Sequence, residues 1–358
     1  MAGAREPMSA IIRPGRCRST RALTCTVGLR PTAKGSAVTP TSAAPTLRER
    51  DNSMAREKRD EALLSTLGAE HAEWRPVLAL VNAALHEMER AVWADSVPAR
   101  EHSAAPGEPL LSGTTIRIAP GPVHRWVHRA MTIAGAGASA IPFADALAGG
   151  TLDPMALFEA AVAEDPDRLD DLARAAGDNR GVLRVVGPIV AMPMLHACRK
   201  AWTPLVSAAW AEGYCPICGG WPALAEARGL DGQRRLRCGR CGGDWRTEWL
   251  RCPFCGERDH EHLGSLVSQG PGQRTPEQQT VDVCERCRHY VKAVTTLAPM
   301  RPEDVVLQDL ATLVLDVVAL ERGYRRPAAK ERPVEVIAAP SRLRALFRLR
   351  QRATGRKP

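Results

Sequence analysis

Four Cys-x-x-Cys pairs lie within residues 215–287 of this 358-residue chain and hold eight of its eleven cysteines. Two intervening residues let a tight turn direct both sulfur atoms at one metal ion, and two such pairs complete a tetrahedral set of four thiolates. Ribbons of this size fold around their ion, because they are too small to bury a core of their own. The spacing therefore predicts two metal ions, bound by Cys215, Cys218, Cys238, Cys241, Cys252, Cys255, Cys284 and Cys287.

The residue after each pair separates three typical turns from an unusual one. Three pairs are followed by a glycine, which accepts the positive φ that such a turn tends to require, at Gly219, Gly242 and Gly256. The fourth pair, Cys284-Glu-Arg-Cys287, is followed by Arg288. We expect this fourth turn to be the least typical of the set.

The gaps between the pairs indicate how they group. The 19 residues between Cys218 and Cys238 are within the range typical of one four-cysteine site. This favours a first site made of the first two pairs and a second site made of the last two, across a 28-residue gap. A cross-braced pairing stays open. Three histidines are near enough to replace a cysteine, but eight thiolates already complete two sites: His260, His262 and His289.

Four thiolates suit zinc or a single rubredoxin-type iron. Both sites would be closed, with no ligand position for a substrate, so we expect structural or electron-carrying sites and not hydrolytic ones. A disulfide framework is typical of small secreted domains and is disfavoured for a chain of this length. Cys198 lies in an apolar run and is expected to be a buried free thiol, while Cys17 and Cys25 are assigned no role.

The basic residues are concentrated at the two ends of the chain. The formal net charge is +9, but residues 1–53 hold nine basic and three acidic residues and residues 322–358 hold twelve and two, which leaves residues 54–321 at −7. A duplex-binding domain would carry its basic patch on the fold itself, so nucleic acid is an unlikely partner. No run of 18 apolar residues occurs, which predicts no membrane span. The cytoplasm, where thiolates stay reduced, is the expected compartment.

The apolar periodicity predicts an α+β fold, with a helical N-terminal domain followed by two rubredoxin-like or zinc-ribbon-like metal knuckle modules and a C-terminal helix. Asp153-Pro154 and Asp165-Pro166 each signal a helix start, because aspartate suits the cap position and proline the first turn. We predict five segments: a disordered or spurious extension over 1–53, an α-helical domain over 54–212, a metal-binding ribbon domain over 213–298, a C-terminal helix over 299–326 and a basic disordered tail over 327–358.

The C-terminal helix carries a broad apolar face and two aspartates. Asp309 and Asp316 are expected to face solvent or to cap the helix. No Ser-His-Asp set, phosphate-binding loop or paired carboxylate motif stands out in the chain. We therefore expect neither an enzyme nor a small-molecule substrate.

The order of the motifs resembles the formate dehydrogenase accessory protein family, FdhE, over roughly residues 55–326. A helical domain is followed by CPICG, CGRCGGDWRTEWLRCPFCG, VDVCERCRHYVKAV and DLATLVLDVVALERGYRR. The third pair follows the second after ten residues with Trp245 between them, and the last helix ends in Gly323-Tyr324. The eight cysteines match the family's four pairs one to one, whereas both ends of the chain depart from the family pattern.

The resemblance implies a cytoplasmic, non-catalytic protein whose rubredoxin-like ribbons hold iron. It also implies a role in the maturation of respiratory formate dehydrogenases through contact with the catalytic subunit. Two alternatives stay open from the residues, a rubredoxin-like electron carrier and a nucleic-acid-binding zinc-ribbon protein. The second alternative depends on an arginine cluster around the second pair: Arg234, Arg235, Arg237, Arg240, Arg246 and Arg251.

Overall fold

The structure is a computed structural model, which describes residues 11–12, 47–100, 105–135, 143–177, 181–267 and 279–339. Cys17, Cys25 and the end of the chain from residue 340 lie outside the described residues. The described residues combine helices with a mixed sheet that carries all four Cys-x-x-Cys turns, and the predicted α+β class is confirmed.

Within the described residues, eight helices precede the ribbon region. Two of them begin where the sequence predicts, because Asp153 accepts a hydrogen bond from the Met155 amide and Asp165 accepts one from the Arg168 amide. Short 3-10 turns at Ala72–Trp74 and Thr203–Leu205 follow α1 and α8. The helices are α1 (Leu47–Glu70), α2 (Arg75–Glu87), α3 (Ala91–Asp95), α4 (Pro120–Gly135), α5 (Phe143–Ala148), α6 (Pro154–Ala163), α7 (Pro166–Ala175) and α8 (Val182–Trp202).

Helix α8 is the centre of the helical region. It packs against α2, α3, α4, α6 and α7, and the Trp126 indole of α4 donates a 2.9 Å hydrogen bond to the Val190 carbonyl. Among the described residues, Val182–Leu205 is the one helical stretch long and apolar enough to cross a membrane, and 67% of its apolar window is buried inside the protein. This burial is typical of the core helix of a globular domain. Cys198 of this helix is a buried free thiol, as predicted.

Two ribbons join into one sheet with the strand order β1-β6-β7-β8-β3-β4-β5. Neighbouring strands are antiparallel except β3 and β8, which run parallel with Leu224 opposite Lys292 and Arg228 opposite Thr296. This parallel pairing is the seam between the ribbon of the first two Cys pairs and that of the last two. The strands are β1 (Ile11–Ile12), β2 (Thr114–Ile118), β3 (Pro222–Arg228), β4 (Gln233–Cys238), β5 (Asp244–Arg246), β6 (Leu263–Val267), β7 (Thr280–Cys284), β8 (Tyr290–Thr296) and β9 (Val334–Ala338), with β2 and β9 forming a separate parallel pair.

The C-terminal helix is divided into α9 (Asp304–Ala311) and α10 (Leu313–Glu321). Leu315 and Ala319 of α10 pack against the β6–β7–β8 part of the sheet. The expectation that both aspartates face solvent or cap the helix is wrong for Asp316, which is buried. Its carboxylate accepts hydrogen bonds from the Tyr290 hydroxyl at 2.6 Å and from the Lys292 ammonium at 2.7 Å. The fully buried Lys292 requires this charge partner, because an unpaired ammonium is costly inside a protein.

Two predicted boundaries differ in the structure. Helix α1 begins at Leu47, within the segment predicted as a disordered or spurious extension. The segment predicted as a disordered tail from residue 327 contains β9, which pairs with β2 from Thr114–Val334 to Ile118–Ala338. The prediction of a disordered tail is wrong for residues 334–338. The strand partner of β9 lies more than 200 residues earlier in the chain, so no local sequence pattern predicts this strand.

Candidate metal centres

All four Cys-x-x-Cys turns, here called knuckles 1 to 4 (residues 215–219, 238–242, 252–256 and 284–288), share one backbone form. In each, the amide of the residue after the second cysteine donates to the carbonyl of the first cysteine, at 2.9, 3.0, 3.0 and 2.9 Å. The amide of the first cysteine in turn donates to the carbonyl five residues on, at 2.9, 2.9, 2.8 and 3.0 Å. This pair of hydrogen bonds holds the two sulfurs of each knuckle on the same side of the turn.

The residue that closes each knuckle has a left-handed backbone. The φ angles are 77° at Gly219, 67° at Gly242, 78° at Gly256 and 57° at Arg288. A residue with a Cβ atom pays roughly 1–2 kcal/mol for this conformation. Knuckle 4 therefore adopts the common turn although arginine disfavours the left-handed backbone. This indicates that contacts of the arginine side chain offset the conformational cost.

The first four-thiol cluster joins knuckles 1 and 2 and lies in the hydrophobic core. The Sγ atoms of Cys215 and Cys241 are 3.5 Å apart, and those of Cys218 and Cys238 are 3.4 Å apart. All four residues have zero exposed area, and they belong to one core cluster with side chains of the helical region such as Leu195. The four sulfurs lie within 4.8 Å of one another.

The second cluster joins knuckles 3 and 4 and lies near the surface. Cys252 and Cys287, like Cys255 and Cys284, have Sγ atoms 3.7 Å apart. Cys252 and Cys284 are buried, Cys287 is half-buried and Cys255 is exposed. Part of this ligand set is therefore open to water.

Both clusters fit a tetrahedral metal ion. Thiolates about 2.3 Å from a central zinc lie about 3.8 Å from one another, close to the sulfur–sulfur distances in both clusters. All eight cysteines are free thiols, so neither cluster is a pair of disulfides. No histidine joins either ligand set among the described residues. The two clusters can hold two ions, and the thiolate chemistry suits zinc or iron.

Electrostatics within the first cluster indicate the same need for a cation. Burial raises the pKa of Cys215 and of Cys241 well above that of an ordinary thiol. Hydrogen bonds from the other three thiols hold the pKa of Cys218 well below the usual value. Four buried thiolates repel one another strongly unless a cation lies among them, so full deprotonation of the set requires the ion.

Arg240 links the first cluster to the helical region. This buried side chain lies between Cys238 and Cys241 in the sequence, and its guanidinium donates to the carbonyls of Ala161 and Val162 at 2.8 and 3.0 Å. These carbonyls belong to the last turn of α6, where helical hydrogen bonds run out. The guanidinium also lies 3.1 Å from the Glu164 carboxylate. Knuckle 2 thus also caps a helix.

The second cluster has a solvent-exposed arginine beside it instead. Arg286, within knuckle 4, lies 2.9 Å from the Glu257 carboxylate, with 70% of its side chain exposed. The amide of Asp259 and the guanidinium of Arg286 lower the pKa of Glu257 to about 2. A trough of about 360 Å³ lies beside this cluster and is lined by Cys252, Cys284 and the half-exposed Trp249, among others.

The arginine cluster around the second pair is largely neutralised within the fold. Four of the six arginines lie beside carboxylates: Arg234 with Asp282, Arg235 with Asp244, Arg237 with Glu226, and Arg240 with Glu164. Arg251 donates to the Ala211 carbonyl, and Arg246 is exposed. These pairings remove most of the basic surface that a nucleic-acid interface requires.

The structure reveals contributors that the spacing of the cysteines does not predict. Arg240 and Arg332 connect the first cluster to distant parts of the chain, and Arg288 does so for the second. For Arg288 a signal was present, because this residue replaces the glycine that follows the other three pairs. For Arg240 and Arg332 no local pattern distinguishes them from surface arginines.

Two four-thiol clusters on a mixed sheet, joined to a helical region, define a two-site metal-ribbon protein. The model of the FdhE C-terminal domain matches residues 250–331, which contain the second cluster. The chain is similar to an FdhE homologue of Aquifex aeolicus (27% identity over 121 residues, 32% of this chain and 40% of the relative), to FdhE of Escherichia coli O127:H6 (30% over 115 residues, 32% and 35%) and to an FdhE homologue of Stutzerimonas stutzeri (34% over 118 residues, 32% and 36%). The family likeness to FdhE is therefore established for the C-terminal domain, over residues 250–331.

These matches are partial. The chain spans 35–40% of the length of these curated relatives. A crystal structure of the FdhE protein from Pseudomonas aeruginosa is similar over 76% of this chain and 93% of that chain, with 22% identity and a TM-score of 0.48.

Proposed function

We propose that the protein is an accessory factor in the maturation of a respiratory formate dehydrogenase, and that it binds the catalytic subunit of that enzyme in the cytoplasm. The observation that carries this proposal is the match of the FdhE C-terminal domain over residues 250–331, together with the four thiols that this segment brings together. The role is one of binding and not of catalysis, since both thiol clusters are closed four-ligand sets.

We assign the two clusters different parts in this function. The eight cysteines are the metal ligands, with Cys215, Cys218, Cys238 and Cys241 on one ion and Cys252, Cys255, Cys284 and Cys287 on the other. The buried first ion is structural, because its ligands lie in the core shared with the helical region. The second ion, with Cys255 exposed, is structural or responds to the redox state of the cell.

A deletion strain tests the proposal. Removing the gene should abolish formate-dependent respiration while the catalytic subunit is still synthesised, as an immunoblot would verify. The full chain supplied in trans should restore respiration, and it should co-purify with the catalytic subunit. Normal formate-dependent respiration in the deletion strain would contradict the proposed function.

An electron carrier is the second candidate, favoured by the exposure of Cys255 at the second cluster. An iron ion with four thiolates can exchange one electron, and an exposed ligand shortens the path to a partner. Voltammetry of the anaerobically purified protein distinguishes the two. A reversible one-electron wave supports the carrier, whereas zinc at both sites excludes it because zinc is redox-silent.

A further inference from the structure

Residues 322–339, which we call the strap, leave the end of α10 and cross three separate parts of the molecule. The strap first contacts knuckle 4, then knuckle 1, and finally the helical region through β9. It therefore contacts one knuckle of each thiol cluster and also the helices.

At knuckle 4 the strap is held by Arg288. The Arg288 guanidinium donates to the Arg322 carbonyl at 2.7 Å and lies 4.1 Å from the centre of the buried Tyr324 ring. The Arg325 amide donates to the Arg288 carbonyl at 2.9 Å, and the Tyr324 hydroxyl is bonded to Glu285. Knuckle 4 thus contacts the strap through its backbone and through two of its side chains.

At knuckle 1 the strap packs against a glycine. The buried Arg332 side chain donates to the Gly219 carbonyl at 2.8 Å, and a Cβ atom at Gly219 would lie 2.3 Å from the Arg332 Nε atom. The Arg332 guanidinium also lies 5.0 Å from the centre of the Tyr214 ring. The Arg332 amide donates to the Ala163 carbonyl at the end of α6, which already belongs to the helical region.

In the helical region the strap forms half of a two-stranded sheet. Strand β9 runs parallel to β2 over five residue pairs, and the Val336 amide donates to the Glu159 carboxylate at 3.0 Å. Two strands alone are marginally stable in water, so this pair depends on the packing of Ile116, Ile118 and Val336 in the core and on what anchors its ends. The strap supplies that anchor on the side of the thiol clusters.

We propose that the strap is a clasp that couples the second metal site to the helical region, so that an ion at the second site keeps β9 docked on β2. Arg288 makes this coupling. Its strained left-handed backbone closes the turn that places Cys284 and Cys287 in the second cluster, and from this backbone its side chain reaches Arg322 and Tyr324. When the ion leaves, the turn relaxes, the first anchor of the strap is lost, and the β2–β9 pair opens more often.

The use of arginine at this position is the strongest sign of a clasp. A glycine would form the turn without strain, as it does in the other three knuckles. The arginine adopts this backbone at a conformational cost. Among the described residues, its guanidinium contacts Glu285 of knuckle 4 and Arg322 and Tyr324 of the strap. Arg286, two residues earlier in the same knuckle, pairs with Glu257 instead.

Hydrogen exchange of the full-length, zinc-loaded chain tests the clasp, with zinc content measured on the same samples. Arg288→Gly should keep two zinc ions per chain, because glycine suits the turn, and should make the amides of residues 322–339 and of β2 exchange about tenfold faster. Cys287→Ser, which removes a ligand of the second site, should produce the same acceleration with the first ion still bound. In the double variant the two effects should not add.

Arg286→Ala is the matched control and should exchange at the wild-type rate in β2 and β9. Unchanged β2 exchange in Arg288→Gly would overturn the clasp, as would full additivity of the two changes. If Cys287→Ser fails to fold, Arg288→Gly alone decides, because it leaves all eight ligands in place. These readouts require no formate dehydrogenase, so the clasp can fail while the proposed function stands, and the reverse.

Discussion

The two thiol clusters use the same turn, the same ligands and nearly the same sulfur–sulfur distances, yet they lie in opposite surroundings. The first is completely buried and continuous with the core of the helical region, whereas the second has one exposed and one half-buried cysteine. Local sequence determines the turn, but the surroundings determine how tightly an ion is held and how easily water or an oxidant reaches it. Four Cys-x-x-Cys pairs with the same spacing can therefore form two sites that differ in exposure.

The arginines beside the two clusters also differ in burial. Arg240 beside the first cluster is buried and bonded to the end of α6, whereas Arg286 beside the second is mostly exposed and bonded to Glu257. Loss of the first ion should therefore disturb the helical region directly. Loss of the second should act locally and along the strap.

The largest expected difference comes from removing one ligand at each site. Cys238→Ser should destabilise the whole protein by on the order of 5 kcal/mol or more, because it leaves a buried, incomplete thiolate set in the core. Cys255→Ser should cost roughly 1–2 kcal/mol, because water can replace the exposed ligand. Denaturant unfolding of both variants checks this order.

Circular dichroism before denaturation serves as the control for that experiment. Cys255→Ser should keep the helical signal of the wild type, while Cys238→Ser should lose part of it. Equal loss of stability in the two variants would show that the burial of the first site does not distinguish it from the second.

The next largest difference concerns the two arginines. Arg240→Ala should lower the free energy of unfolding by about 3 kcal/mol, because the half-buried Glu164 carboxylate loses its ion-pair partner and two carbonyls at the end of α6 lose a donor. Arg286→Ala removes the mostly exposed partner of Glu257 and should change the free energy of unfolding by less than about 1 kcal/mol. Thermal unfolding of the two variants measures both, and a similar shift in each would contradict the assignment of Arg240 to the core.

A smaller effect should appear in the pH dependence. Burial, with a contribution from Arg199, lowers the pKa of His196 in α8 from the ordinary 6.5 to about 3. Between these values the unfolded chain binds more protons than the folded one, so stability falls as the pH drops below 6.5. From about pH 7.5 to about pH 5.5 we expect the wild type to lose roughly 1 kcal/mol through this group, and His196→Leu to lose correspondingly less.

Unfolding curves of both proteins at matched zinc content give this difference. Comparing the two at each pH cancels the contribution of the thiolates, which also release metal in acid. Parallel pH profiles would show that His196 is not a neutral buried histidine.

The sequence predicted those features that depend on local spacing. The eight cysteines and the helix starts at Asp153 and Asp165 can all be read within a few residues of each other. Each follows from the reach of one turn, so a pattern of fixed spacing suffices.

Features that depend on partners far apart in sequence escaped prediction. The burial of Asp316 follows from Lys292 on β8, and the strand character of residues 334–338 follows from β2. The difference between the two clusters is of the same kind, because identical Cys-x-x-Cys spacing cannot reveal which pair will lie beneath the helices. One sequence signal indicated a contact outside its own turn, because Arg288 stands where the other three pairs are followed by glycine.

Native mass spectrometry of the anaerobically purified chain during a chelator titration tests the central claim most directly, because it counts the ions on each molecule and the order of their release. We predict two ions per chain, lost in two separate steps, with the first step shifted to lower chelator concentration in Cys255→Ser and the second step abolished in Cys238→Ser. A single ion per chain, or the loss of both ions in one step, would contradict two distinct sites of unequal exposure.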